Sequence, residues 1–426
     1  MKRRTVVRIA ALAAALATFA PTPAAWAQPK ELSFWTFLAT QGTDPRSTAL
    51  RNVVESFNKS QSKYVVKVES INFARLDNQV IQSTAAGQGP DILNVYSDQL
   101  PMHVAAKTIV PLDARYAALA AGQKDFVFDL DFFRFDGKLM ALPWETRVWL
   151  LWYRKDLLDK AGVAVPRNTD QLQQAAAKTS TDQVMGFGFG ASTGALGAGA
   201  MEAFIPLFWS AGGTLFDAKG NATINTDAGV KVLTLFREMV EKSKGMRATV
   251  SGMSVEDAMT AVRAGSLGMT LMGSFRVGAA RNAAATGQNL QTAPVPGLGS
   301  SDKPAPARLA GQTLTIGANS KDPDGSWAFI QHYLSPASQL EFAKAGVMPS
   351  RSSSYADRFF KEDALAKDLQ AWSDYAKQHG RMEKTPKDFS KLSEELAKAI
   401  QKVLVQGADP KAALDEAAAA YNAQRS

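Results

Sequence analysis

Residues 135–166 read FDGKLMALPWETRVWLLWYRKDLLDKAGVAVP, and the rest of the chain is organised around them. Asp136-Gly137 between two apolar runs predicts a hairpin turn. Residues 139–142 read as an extended segment, which Pro143 closes because it lacks the N–H that ladder pairing needs. Trp144, Glu145, Thr146 and Arg147 then set an aromatic ring, a carboxylate, a hydroxyl and a guanidinium side by side. Such a group suits a polar, hydroxyl-bearing ligand, held by stacking and charge-assisted hydrogen bonds. Residues 148–153 resume as a buried strand, with Trp149 and Trp152 read as core. Residues 155–161 form a short helix stopped by Gly162, with Pro166 beyond it.

Upstream, residues 31–37 (ELSFWTF) predict a strand, and a small polar loop leads through Pro45 into a helix with Leu50, Val53, Val54 and Phe57 on one face. A strand at 64–68 and a helix at 75–86, stopped by Gly87, come next. Gly89-Pro90-Asp91-Ile92-Leu93 opens a further strand that should end near Tyr96-Ser97-Asp98. Alternating strands and helices favour a parallel sheet with helices on its faces. Ligands of open α/β sheets bind beyond the carboxyl ends of the strands. Thr40, Gln41, Tyr96 and Asp98 are therefore candidates for one wall of a cleft.

Downstream, residues 142–295 read as a second α/β unit. Asn225 is expected to cap one helix, and Ser254 with Asp257 forms a capping box for another, which Gly265 ends. Residues 267–271 predict a strand that runs into Met272-Gly273-Ser274-Phe275-Arg276. Residues 291–308 are rich in Pro, Gly and Ser, the composition of a linker. The tail, with Leu392, Leu396, Ile400 and Leu404 on one face, predicts a helical pair.

The order G-K-L-x-x-L-P-x-[DE]-T, a W/Y/L-rich strand, then Y-x-K-D-L-L-x-K-A-G-V-x-x-P resembles the hinge region of bacterial extracellular solute-binding proteins of family 1. These are carbohydrate-binding subunits of ABC importers, of the maltose- and glycerol-phosphate-binding type. The resemblance implies a two-lobed α/β fold of the periplasmic binding protein kind, each lobe a doubly wound sheet, with three crossings near Leu142, Pro294 and Val347. Residues 28–141 and 296–346 would make the first lobe, and residues 142–295 and 347–426 the second. The run FWSAGGTLFD at 208–217 also resembles the family and places Trp209 near a sugar. Phe275 stands where the family usually carries a stacking Trp, with Ser274 and Arg276 beside it. Gly346 to Arg351, followed by Tyr355, resembles the third crossing motif and adds Arg351. The implied partners are a small carbohydrate or derivative and the permease subunits of an inner-membrane ABC transporter. The receptor is expected to be a monomer, without cofactor or metal.

The start of the chain is consistent with export. Lys2, Arg3, Arg4 and Arg8 precede the apolar run 9–20, and Ala25-Trp26-Ala27 is an A-x-A cleavage site, so residues 1–27 read as a signal peptide. Removing them lowers the excess of basic over acidic residues from eight to four. No Lys/Arg-rich run marks a nucleic-acid surface, and nucleic acid is not expected as a partner. The chain has no cysteine, which excludes disulfides, thiolate metal sites, a cysteine nucleophile and lipidation at an N-terminal cysteine. The expected compartment is the periplasm.

Two competing chemistries also fit parts of the sequence. Gly190-Ala191-Ser192-Thr193-Gly194 matches the G-x-S-x-G pattern of a nucleophile elbow, which needs a histidine partner such as His332 or His379. Asp98 and Glu145 would be the carboxylate pair of an exported glycosidase. In the receptor reading both instead accept hydrogen bonds from sugar hydroxyls. If Arg147, Arg276 and Arg351 converge, the site suits a carboxylate, phosphate or sulfonate on the ligand. Otherwise Arg147 orients Glu145 or Asp98 for a neutral sugar.

Overall fold

The computed structural model describes residues 28–127, 129–284 and 286–425, with backbone only at 195 and 196; the expected signal peptide lies outside the described residues. Its organising element is the ten-residue strand Glu145–Arg154, which pairs along its length with four others. Met348–Pro349 pairs at its start, Ala307–Ala310 at Arg147 and Val148, Leu267–Gly273 from Trp149 to Tyr153, and Leu290–Ala293 at its end. The hairpin before it forms as the sequence requires. Arg134–Phe135 pairs with Lys138–Leu139 across Asp136 (φ 48°) and Gly137 (φ 75°), the left-handed pair that a tight two-residue turn demands.

The chain folds into two lobes, each an α/β layer structure with its own core. In the first, Lys30–Thr36 lies between Tyr64–Ser70 and Ile92–Tyr96, all parallel, joined by the helices Pro45–Ser60 and Phe73–Ala85. Gln312–Ile316 adds antiparallel to Ile92–Tyr96, and Leu142–Pro143 adds antiparallel to that. The sheet is therefore mixed, because the strands that return from the second lobe enter from the opposite end. The second lobe pairs Met185–Phe187 parallel to Leu267–Gly273 and covers the sheet with the helices Ala198–Ser210, Asp227–Glu241, Ala364–His379 and Phe389–Gln406. Phe389–Gln406 buries Leu392, Leu396, Ile400 and Leu404, and Pro410–Ala423 packs beside it. The Ser254–Asp257 capping box is present, whereas the helix expected to be capped by Asn225 starts after Thr226, whose side chain makes no capping bond, and Asn225 instead donates to Asp415.

The two cores show where the chain passes between lobes. Trp144 belongs to the first and Val148 to the second; Leu309 belongs to the second and Leu314 to the first; Val347 belongs to the first and Met348 to the second. The middle passage is thus at Gly311, not near Pro294. Leu290–Ala293 and Ala307–Ala310 both pair with Glu145–Arg154, so the Pro/Gly/Ser-rich stretch between them is a loop of the second lobe. Its composition marks a turn, not a link between lobes. A Cβ on Gly311 would lie 2.0 Å from the carbonyl oxygen of Glu145, so only glycine allows two crossing strands to touch there.

Candidate functional site

Side chains alternate along a strand, so Glu145, Arg147 and Trp149 share one face of Glu145–Arg154, and that face looks into the space between the lobes. Glu145 is fully buried and gripped by two guanidinium groups. Arg147 donates from Nε to Oε1 (2.8 Å) and from Nη2 to Oε2 (2.9 Å), and Arg46 Nη2 donates to Oε2 (3.1 Å). Burial alone would raise the pKa of Glu145, but Arg147 and then Arg46 override it and hold the carboxyl below its usual range. Arg46 belongs to the first lobe, in the first turn of Pro45–Ser60, so the cluster ties that lobe to the crossing strand.

A second buried pair lies alongside. Arg308 Nη2 donates to Asp98 Oδ2 (2.9 Å), Ser97 Oγ donates to Asp98 Oδ1 (3.2 Å), and the Arg308 guanidinium sits 4.2 Å from the Trp149 ring centre. Burial outweighs Arg308 here and raises the Asp98 pKa. Asp98, Trp149 and Arg308 line a cavity together with Tyr96, Phe73 and Glu202. Its volume is about 90 Å³, below the roughly 300–1,000 Å³ typical of ligand pockets. A sugar-sized molecule therefore needs the lobes, or the arginines, to move apart. Glu202 is 5% exposed, and burial, against the opposing pull of Arg276 and Arg308, raises its pKa. The Trp149 indole N–H faces the Glu202 carboxylate and partly offsets that rise, though neither group completes a well-formed hydrogen bond.

Phe275 completes the arrangement. The guanidinium carbons of Arg147, Arg276 and Arg46 lie 4.0, 4.8 and 5.9 Å from its ring centre, and Arg147 also lies 5.5 Å from that of Tyr96. The aromatic faces expected to stack on a ligand are stacked on arginines. Burying several ions costs several kcal/mol each, and such clusters are often no more stabilising than apolar packing. Their concentration in a cleft points to a binding role.

Of the residues singled out in the sequence, Tyr96, Asp98, Glu145, Arg147, Phe275 and Arg276 meet around this cleft. Others do not. Arg351 is held in the first lobe, on Asp125 and on the carbonyls of Gly122 (2.8 Å) and Leu334 (3.3 Å). It holds the crossing in place. Trp209 faces a separate cavity, its indole N–H bonded to Glu383 (2.8 Å) and its ring under Arg381. Trp144 packs in the first core against Tyr333 and Phe342 and donates to Asn94 (3.0 Å), so its ring is closed to a ligand. Ser274 Oγ accepts from the Val148 N–H (3.2 Å) and braces the crossing strand. Thr40 lends its carbonyl to Arg51 (2.8 Å), and Gln41 is exposed on the same loop. Ser192 Oγ accepts only from the Gly194 N–H, and His332 bonds instead to Ser56, so no triad forms among the described residues.

Four contributors are not found by sequence reasoning: Arg46, Trp149, Glu202 and Arg308. Three carry a signal. Glu202 is the lone charge in the apolar run 198–210, where a buried carboxylate requires a reason. Arg46 sits at a helix N-terminus, where the dipole disfavours a cation, so its partner has to lie elsewhere. Trp149 shares strand parity with Glu145 and Arg147, which marks its face as polar. Arg308 is concealed by the linker-like composition before it.

Comparison with known proteins gives a consistent picture. A model of the family described as bacterial extracellular solute-binding protein matches residues 39–340. A probable ABC transporter-binding protein of Deinococcus radiodurans is 28% identical over 232 residues, 52% of this chain and 54% of that one. An arabinooligosaccharide-binding protein of Halalkalibacterium halodurans is 24% identical over 219 residues, 49% of this chain and 46% of that one. The match thus spans about half the length of these curated relatives. Among solved structures, the GacH receptor of Streptomyces glaucescens, described unliganded and with acarbose, superposes with a TM-score of 0.79 at 22% identity, covering 93% of this chain and 98% of that one. A solute-binding protein of Agrobacterium radiobacter in complex with ribitol gives 0.76 at 21%, covering 93% and 99%. At these identities the likeness establishes the fold.

Proposed function

Since the chain belongs to the bacterial extracellular solute-binding proteins, we propose that it captures a carbohydrate or polyol between its lobes and delivers it to the permease of an ABC importer. The carrying observation is a buried polar pair in the cleft: the Trp149 indole N–H faces the Glu202 carboxylate, and neither completes a well-formed hydrogen bond. A hydroxyl group is both donor and acceptor, so one ligand hydroxyl, or two neighbouring ones, satisfies both. The acarbose and ribitol complexes of similar folds support this class of ligand. We place the carrier in the periplasm as a monomer, with residues 1–27 as its export signal.

Hydrolysis is the disfavoured reading. Glu145 and Asp98, the carboxylates suggested for it, are each tied to arginine. Both Glu145 oxygens and Asp98 Oδ2 are occupied by guanidinium donors, so neither carboxylate is free to attack a sugar or pass it a proton. The test is equilibrium dialysis against neutral sugars and polyols, with chromatography of the recovered ligand. One ligand bound per chain and returned unchanged supports the carrier. Conversion of the ligand, or no binding across the panel, contradicts it.

A further inference from the structure

The cleft is short of acceptors. Arg46, Arg147 and Arg276 converge on the Phe275 ring, and their counter-charges are the buried Glu145 and the exposed Glu256, which accepts from Arg276 Nη1 (2.6 Å). Glu202, opposed chiefly by Arg276, is a third carboxylate of the cleft, so the three cations and their anions are equal in number. Arg46 Nε and Arg276 Nε are buried with no acceptor. Glu145 cannot absorb them, because both of its oxygens already accept from Arg147 and one also from Arg46. Nor does Asp98, which is committed to Arg308 and Ser97. A buried donor left unmade is costly, and more so when charged.

We propose that the ligand is a hydroxylated monoanion, a sugar acid or polyol acid, whose carboxylate docks among Arg46, Arg147 and Arg276 while a hydroxyl meets Glu202 and Trp149. This rests on the carrier reading and adds the ligand's charge. A carboxylate is acceptor-only, offers about four lone-pair sites and matches the guanidinium fork. Its two oxygens supply the acceptors that Arg46 Nε and Arg276 Nε lack. A neutral sugar meets those charged donors only with hydroxyl oxygens, which make weaker hydrogen bonds to guanidinium than a carboxylate does. A phosphate monoester, at about −1.5 to −2 near neutral pH, brings more negative charge beside the buried Glu145 and Glu202 than a carboxylate does.

Calorimetry with matched pairs tests the proposal: gluconate against glucitol, glucuronate against glucose, galacturonate against galactose, and the hexose 6-phosphates as a third arm. In at least one pair the acid should bind about tenfold to a hundredfold tighter than its neutral partner, the worth of one charge-assisted hydrogen bond. Arg276→Met should shrink that preference by about tenfold, and Arg276→Lys should restore part of it. Arg276 also offsets the buried charge of Glu202 and lies on Phe275, so the folding of both variants is checked by circular dichroism at the calorimetry temperature, where each should give the wild-type spectrum. Neutral partners binding as tightly as the acids, or an unchanged preference in Arg276→Met, would overturn the inference and leave the carrier standing. Phosphates binding tighter than acids would overturn the monoanion assignment. Binding of no hydroxylated compound in any arm would overturn the carrier reading itself.

Discussion

Glu145→Gln removes one charge and almost no volume, so it isolates the electrostatics of the arginine clamp. The side chain is completely buried, and three guanidinium hydrogen bonds of 2.8–3.1 Å end on its two oxygens. The amide that replaces it offers one acceptor, and its NH2 confronts a guanidinium donor. Removing one partner of a buried ion pair costs about 3–5 kcal/mol. With an unfolding slope of roughly 2–3 kcal/mol/M for a lobe-sized unit, the urea midpoint should fall by about 1–2 M. The seven tryptophans beyond residue 27 provide the fluorescence signal. The pH dependence adds a second constraint. The Glu145 pKa is lowered in the fold, so its stabilisation is present above the unfolded-state value, about 4.3, and is lost as pH falls through the lower folded value. The gap between wild type and variant should be constant from about pH 7 to 5 and narrow only below about 4.3. A loss under about 1 kcal/mol, the value of an exposed pair, or a gap that narrows already above pH 5, would refute the buried two-arginine clamp.

The same geometry sets expectations for other positions. Glu202→Gln should stabilise the ligand-free protein at neutral pH, because a carboxyl whose folded pKa is raised destabilises the fold as pH rises; the gain should vanish below about pH 4.3 and should accompany weaker ligand binding, read by thermal melts across pH and by calorimetry. Trp149→Phe, which deletes the indole N–H that faces Glu202, should weaken ligand binding by about tenfold, whereas Trp209→Phe should leave the affinity within about threefold, since that indole serves Glu383. Gly311→Ala should lower stability by about 2 kcal/mol or more, because its methyl would collide with the Glu145 carbonyl, and a midpoint unchanged in urea would contradict the close crossing.

Much of this architecture was legible in the sequence because it rests on local rules. Asp136-Gly137 needs two left-handed residues and forms its turn, the Ser254–Asp257 box caps its helix, and the 3.6-residue period of Leu392 to Leu404 buries as read. The long strand after Pro143 does organise the second lobe. What composition could not reveal was pairing between distant strands. The stretch before Arg308 looks like a linker, yet it is a loop between two partners of one strand, which moved the middle crossing to Gly311. The site was half legible for a related reason. Residue type identified Glu145, Arg147 and Asp98 as polar groups near strand ends, but which arginine neutralises which carboxylate depends on contacts more than 90 positions apart, as with Arg46 and Glu145 or Arg308 and Asp98.

The central claim is that one ligand contacts both lobes and favours their approach, which requires contacts made only in the closed form. The chain has no cysteine, so two spin labels can be placed without removing any native residue of that type. Gln82→Cys on the first-lobe helix Phe73–Ala85 and Thr260→Cys on the second-lobe helix Val255–Ala264 are both exposed and helical. Pulsed electron–electron double resonance then reads the interlobe distance directly. At a saturating concentration of a ligand identified by dialysis, the distribution should shift to shorter distances and narrow. An identical distribution with and without that ligand would contradict the account.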